Sequence, residues 1–95
     1  PEILLSDHCW RMFLELYEMQ KSNGKLSLTS LALVSELPMA TAIRKIHRMK
    51  ELSLVTFQTD DKDKRRTFVR LSSEGYALAD KFLAQLKADF ANAIG

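Results

Sequence analysis

The sequence predicts an α+β fold that is mainly helical with one small β-hairpin. Three observations carry that expectation. Apolar residues recur at helical spacing near both ends of the chain, Pro38 separates two short amphipathic stretches, and two β-branched, aromatic runs flank a wholly charged turn. With 95 residues, 46% of them hydrophobic and 27% charged, the chain has the size and balance of one globular domain, so 1–95 is read as a single unit. Wholesale disorder is excluded. The apolar runs are a few residues long, too short for a bilayer span, and no membrane partner is expected. The lone Cys9 rules out an intramolecular disulfide and a cysteine-rich zinc cage and fits a reducing, cytoplasmic setting. The first residues do not read as a signal peptide, and opening at Pro1 rather than Met fits an excised or processed chain, with room for a region upstream.

Residues 7–22 read as a helix capped by Ser6 or Asp7. Cys9, Met12, Phe13, Leu16 and Met19 or Gln20 fall on one face, and Trp10, Leu14 and Tyr17 on a second. A helix apolar on two faces packs against two things. Asn23-Gly24 ends it, and Lys25-Leu26-Ser27 leaves room only for a stub of strand. Ser27 or Thr29 then caps a helix through Leu37, with Leu31, Ala32 and Val34 inward. Pro38 stops that helix and, being tolerated at a first helical position, starts the next, which runs to about Leu52. Residues 54–59 and 66–71 are strands rich in β-branched and aromatic side chains, joined across Asp60-Asp61-Lys62-Asp63-Lys64-Arg65. Ser72 caps a last helix in which Ala79, Phe82, Leu83, Leu86, Phe90 and Ala93 recur near heptad spacing. Helix, stub, helix, turn, helix, hairpin, helix is the order of a winged helix-turn-helix with flanking N- and C-terminal helices. Residues 1–24 form the N-terminal helix, 25–71 the helix-turn-helix and wing, and 72–95 a C-terminal association helix.

The formal net charge of +2 conceals an uneven distribution. Residues 1–24 hold two basic against four acidic side chains, 25–71 ten against five, and 72–95 two against three. A basic centre between mildly acidic ends points to an anionic partner for the centre and another task for the ends, although a merely solvated surface gives the same count. The helix over 38–52 sharpens this. At about 100° per residue Ala42, Ile46 and Met49 share one side with Ile43 at its edge, and Thr41, Arg44, Lys45 and Arg48 share the other. The apolar side holds the helix to the domain, and the cations project from a rod that fits a major groove. An arginine fork pairs with the acceptor edge of guanine or grips a phosphate. Pro38, Met39 and Ala40, small or apolar at the helix start, suit thymine methyls.

The hairpin adds a second group. Lys62, Lys64, Arg65 and Arg66 crowd the 60–66 wing, where they do nothing for a core and repel one another modestly. Such a ribbon lies along a duplex backbone or places an arginine in the minor groove. Asp63 is expected to pair with Arg65 or Arg66 and shape the wing, with Asp60 and Asp61 shaping the turn.

At these residues the chain resembles the MarR-type winged-helix transcription regulators, over 26–75. Leu26-Ser27 through Leu31-Ala32 is similar to the family's entry into its first reading-head helix, Thr41 to Arg44 to its Thr-x-x-Arg, and Arg48-Met49 and Leu54-Val55 to its Arg-Leu and Leu-Val. Asp63-Lys64-Arg65 resembles its Asp-x-Arg wing motif, followed at family spacing by Val69-x-Leu71-Ser72 and Glu74-Gly75. The resemblance implies a bacterial homodimer on a pseudo-palindromic operator, with one recognition helix per half-site and the wings outside. Two departures stand out. Ser53 occupies a helix-ending position where the family usually has glycine, so strain or another cap is expected there. Only one helix precedes the reading head and one follows it, where many members are longer at both ends; these two helices remain the parts suited to a homodimer interface.

Other residues add alternatives. His8 and Cys9 diverge by about 100° on a helix and make poor co-ligands, so no metal or other cofactor is expected. His47 is placed to graze a phosphate. Cys9 on an apolar face suits packing better than peroxide sensing. Trp10, Met12, Phe13 and Tyr17 suit core or dimer packing better than a pocket for a small-molecule effector. No nucleophile–base pair, phosphate loop or carboxylate pair stands out, which argues against an enzyme. Sequence-specific duplex DNA binding for transcriptional control is therefore the leading expectation. The alternatives are a winged helix used as a protein-interaction or assembly module, and a switch responding through Cys9 or an aromatic pocket.

Overall fold

The computed structural model describes residues 6–94. Its elements are α1 (Asp7–Lys21), β1 (Leu26–Ser27), α2 (Leu28–Val34), α3 (Met39–Glu51), β2 (Val55–Thr59), β3 (Thr67–Leu71) and α4 (Ser73–Ile94). The stub expected at 25–27 pairs as β1 with β3, so the hairpin is part of a three-stranded antiparallel sheet of order β1-β3-β2. Val69 sits at the centre of this sheet, between Leu26 and Phe57.

α1 is the hub. Cys9, Met12, Phe13 and Leu16 are fully or almost fully buried, in one cluster with Leu31 and Ala32 of α2, Ala42, Ile46 and Met49 of α3, Val55 of β2, Val69 of β3 and Ala79 of α4. Its second apolar face meets α4: Trp10 stacks on Phe82 at 3.9 Å between centroids, and Tyr17 lies 4.8 Å from Tyr76 and donates its hydroxyl to Asp80. Receiving that bond, the Asp80 carboxylate keeps the Tyr17 phenol protonated up to about 12. Gln20 closes the lower end of α1, its Oε1 accepting the Leu71 N–H at 2.5 Å.

Two boundaries differ from the sequence reading. α2 stops at Val34 rather than Leu37, because the buried Ser35 hydroxyl donates to the Ala32 carbonyl at 2.6 Å and accepts the Leu37 N–H at 3.1 Å, while Glu36 turns to φ 63°. Pro38 does not occupy the first turn of α3. It precedes that turn in extended conformation (φ −53°, ψ 141°), and its carbonyl receives the Ala42 N–H at 2.9 Å. Smaller shifts start β2 at Val55 and β3 at Thr67.

Helix ends are closed by local chemistry. At α1 Asn23, not Gly24, takes the left-handed conformation (φ 58°), with Gly24 N–H on the Met19 carbonyl and Asn23 N–H on that of Gln20. α3 ends the same way: Ser53 sits at φ 62°, Leu54 N–H bonds the Met49 carbonyl, and Ser53 N–H bonds that of Lys50. Both are Schellman ends, and the second carries the strain expected of serine where glycine is the relaxed choice. Ser72 caps α4 as expected, accepting the Gly75 N–H at 2.9 Å and donating to the Ser53 carbonyl at 2.6 Å. Gly75 is buried so close to β2 that any Cβ would collide with the Leu54 carbonyl.

α4 splits along its length. Ala79 is buried and Phe82 and Leu83 half-buried, but Leu86, Phe90 and Ile94 stay 52%, 66% and 72% exposed along one helical row. The molecule is accordingly elongated, 51 × 27 × 20 Å. No helix among the described residues is long and apolar enough to cross a membrane.

Two substitutions test these ends by urea unfolding. Ser53→Gly is expected to raise stability by about 1 kcal/mol through relief of the left-handed strain. Gly75→Ala is expected to lower it by about 1–3 kcal/mol, because backbone rather than a flexible side chain blocks the new methyl.

Candidate nucleic-acid interface

The rotation of α3 about its own axis is set by the burial of Ala42, Ile46 and Met49, which leaves the opposite face outward. There Thr41, Arg44, Lys45 and Arg48 together line one shallow surface cleft. Arg44 Nη2 donates to Thr41 Oγ1 at 3.4 Å, and Arg48 pairs with Glu51 at 3.1 Å. Both members of that pair are well exposed, so an incoming phosphate competes with the carboxylate at little cost. Pro38, Met39 and Ala40 are exposed at the start of the helix.

The wing is a closed, hydrogen-bonded tip. Asp60 N–H bonds the Arg66 carbonyl at 2.9 Å, Arg66 N–H bonds the Asp63 carbonyl at 2.9 Å, and Asp60 Oδ1 accepts the Lys62 N–H at 2.9 Å. Asp63 organises the rest. Its Oδ1 accepts the Arg65 backbone N–H and Nε, each at 3.1 Å, and its Oδ2 accepts Nη2 at 3.4 Å. Of the two arginines weighed as its partner, Arg65 is the one held. The Arg65 guanidinium, then its backbone N–H, keep the Asp63 carboxyl below its ordinary value. Arg65 nonetheless remains almost wholly exposed, held in direction but open to an anion. Lys64 and Arg66 are exposed as well.

The basic residues of the wing do not form one cluster. Arg65 and Arg66 line a cleft with Ser27, Leu28, Thr29 and Thr67, whereas Lys62 lines another with Lys25, Gln58, Thr59, Asp60, Asp61 and Phe68. Aromatic strand residues place three further basic groups, of which Lys25 and Lys50 escaped the helical-wheel reading and His47 did not. Lys50 Nζ lies 4.7 Å from the Phe57 ring centre, His47 packs edge-on to the same ring at 5.2 Å, and Lys25 Nζ lies 5.3 Å from the Phe68 ring. The β-period positions of Phe57 and Phe68 were the available signal; which cations they meet is a tertiary matter.

The candidate switch residues lie elsewhere. Cys9 is fully buried, and that burial pushes its thiol up, leaving little thiolate. Met12 and Phe13 are core, and Trp10 and Tyr17 are spent on α4. Among the described residues no group of three or more His, Cys, Asp or Glu side chains is placed to hold a metal.

Solved structures share this fold. MepR of Staphylococcus aureus in a DNA-binding conformation has a TM-score of 0.78 at 17% identity over 94% of this chain. The MepR–DNA complex gives 0.76 at 18% over 98%, and NadR in complex with 4-hydroxyphenylacetate gives 0.75 at 24% over 99%. The chain covers 64%, 84% and 69% of those three chains respectively, so the first is spanned for less than two thirds of its length. No family model and no curated protein matches the sequence. At these identities the likeness is one of fold: the chain has the winged-helix fold of the MarR-type transcription regulators.

Proposed function

We propose that the chain is a duplex-DNA-binding transcriptional regulator that sets α3 in the major groove and its wing against the backbone or minor groove. One observation carries this reading. Among the described residues, the side chains lining the α3 cleft are three cations and a hydroxyl, on a helix whose rotation is locked by a fully buried opposite face. Phosphate attraction supplies affinity there, and arginine forks supply base discrimination. Arg65, oriented by Asp63, and the exposed Lys64 and Arg66 hold the wing to the duplex. The MepR–DNA complex, of the same fold, supports the mode. We further propose a homodimer in which α1 and α4 associate, since Leu86, Phe90 and Ile94 present an apolar row on the overhanging end of α4. The buried thiol of Cys9 weighs against peroxide as the controlling signal.

Salt titration on random duplex DNA separates this reading from a protein-interaction module: a steep fall of log affinity with log salt supports it, and absence of binding refutes it. Arg44→Ala is expected to cost about 1–3 kcal/mol and to relax base preference, read as affinity for a preferred site against scrambled sites; Lys64→Ala is expected to weaken all sequences alike and reduce the salt slope by about 1. The wing tip has its own pH signature. Asp63 titrates below an ordinary aspartate, so its ordering of the tip is complete above the ordinary range and disappears as pH falls through the lowered value. Arg65→Ala is expected to return the Asp63 carboxyl midpoint, followed by NMR, toward the ordinary value; an unmoved midpoint would exclude the pairing.

A further inference from the structure

Outside the core, α1 makes polar contact with the turn that follows α2. The His8 Nδ1–H donates to the Ser35 carbonyl at 2.8 Å, the carbonyl being able only to accept, and Arg11 Nη1 meets Glu36 Oε2 at 2.9 Å. His8 and Arg11 stand three residues apart and share an edge of α1; Ser35 and Glu36 are consecutive and make the turn that delivers the chain to α3. The other edge of α1 is fastened to α4 through Trp10 on Phe82 and Tyr17 on Asp80. One helix thus grips both α4 and the start of α3.

Glu36 is the unexpected residue. Its backbone is left-handed at φ 63°, where glycine or asparagine is the relaxed choice, and α1 itself ends on such an asparagine, Asn23. Glutamate also brings a negative charge within three residues of Met39, at the end of α3 proposed to enter DNA, where phosphates repel it. Strain and repulsion both argue against glutamate unless its side chain has work to do. Its partner is Arg11, which neutralises it and fastens the turn to α1. The side chains of the pair are 49% and 73% exposed, so the pair contributes little to global stability and acts instead on the direction of the turn.

We infer that His8, Arg11 and Glu36, acting through the Ser35–Glu36 turn, are positioning residues that set the pose of α3 against α1. The inference deepens the DNA-reading proposal and rests on it for its consequence, though not for its structural content.

The test uses the whole chain in four forms: wild type, Arg11→Ala, Glu36→Asn and the charge swap Arg11→Glu with Glu36→Arg. For each, affinity is measured for a site selected from random duplex DNA and for random duplex at the same salt, beside the melting temperature. The amide exchange rates of Leu37 and Ala42, whose N–H groups bond Ser35 Oγ and the Pro38 carbonyl, are measured without DNA. Arg11→Ala and Glu36→Asn are expected to lower the selected-to-random ratio about two- to fivefold, the range an exposed ion pair supports, and to speed exchange at Leu37 and Ala42 by a similar factor. The swap is expected to restore both. Glu36→Asn is also expected to keep or raise the melting temperature, which separates a positioning role from a stabilising one. Unchanged exchange in the single variants, or a swap that restores nothing, would overturn the latch. Wild-type protein that binds no duplex would overturn the DNA reading while the exchange data still judged the latch.

Discussion

The rotation of α3 about its own axis is the constraint on which the rest depends. Ala42, Ile46 and Met49 lie fully buried against the hub formed by α1, so Thr41, Arg44, Lys45 and Arg48 have no orientation available except outward. A small rotation would place cations in the core, where an unpaired charge is costly, and apolar groups in water. The amphipathic division of thirteen residues therefore acts as a register, and the chemistry of the outward face follows from the packing of the inward one.

Around that register the chain uses strained or closely fitted points to turn sharply within a short length. Asn23, Glu36 and Ser53 all adopt left-handed backbone without being glycine, each just beyond α1, α2 or α3. Gly75 solves a different problem: it brings α4 so near β2 that Ser72 can bond both Ser53 and Leu54, tying the end of α3 to the beginning of α4. The wing follows the same economy at its tip, where one carboxylate, Asp63, orients both the backbone and the guanidinium of Arg65.

Much of this was legible from local pattern. The faces of α1 and α3, the cap at Ser72, the hairpin and the strain at Ser53 each follow from spacing or from one residue's backbone preference. What was not legible depends on partners distant in sequence or on competition for a backbone group. α2 reads to Leu37 by apolar spacing, but the Ser35 hydroxyl captures the Ala32 carbonyl and the Leu37 N–H and stops it early. Lys25, His47 and Lys50 gain their places from Phe68 and Phe57, which no helical wheel contains. Arg65 and Arg66 were equivalent partners for Asp63 on spacing, and the tip geometry separates them by giving Arg65 the side chain and Arg66 the main-chain carbonyl.

The proposed reading head, α3 and wing, is carried by α1, which also packs against α4 with its exposed apolar row. Selection of binding sites from a pool of random duplexes tests the central claim most directly, because it asks at once whether α3 reads bases and whether two copies read together. The account predicts enrichment of an inverted repeat whose half-sites lie about one helical turn, or a multiple of it, apart, and loss of that enrichment in Arg44→Ala. A pool that emerges without base preference, or the same preferred sequence selected by Arg44→Ala, would contradict it.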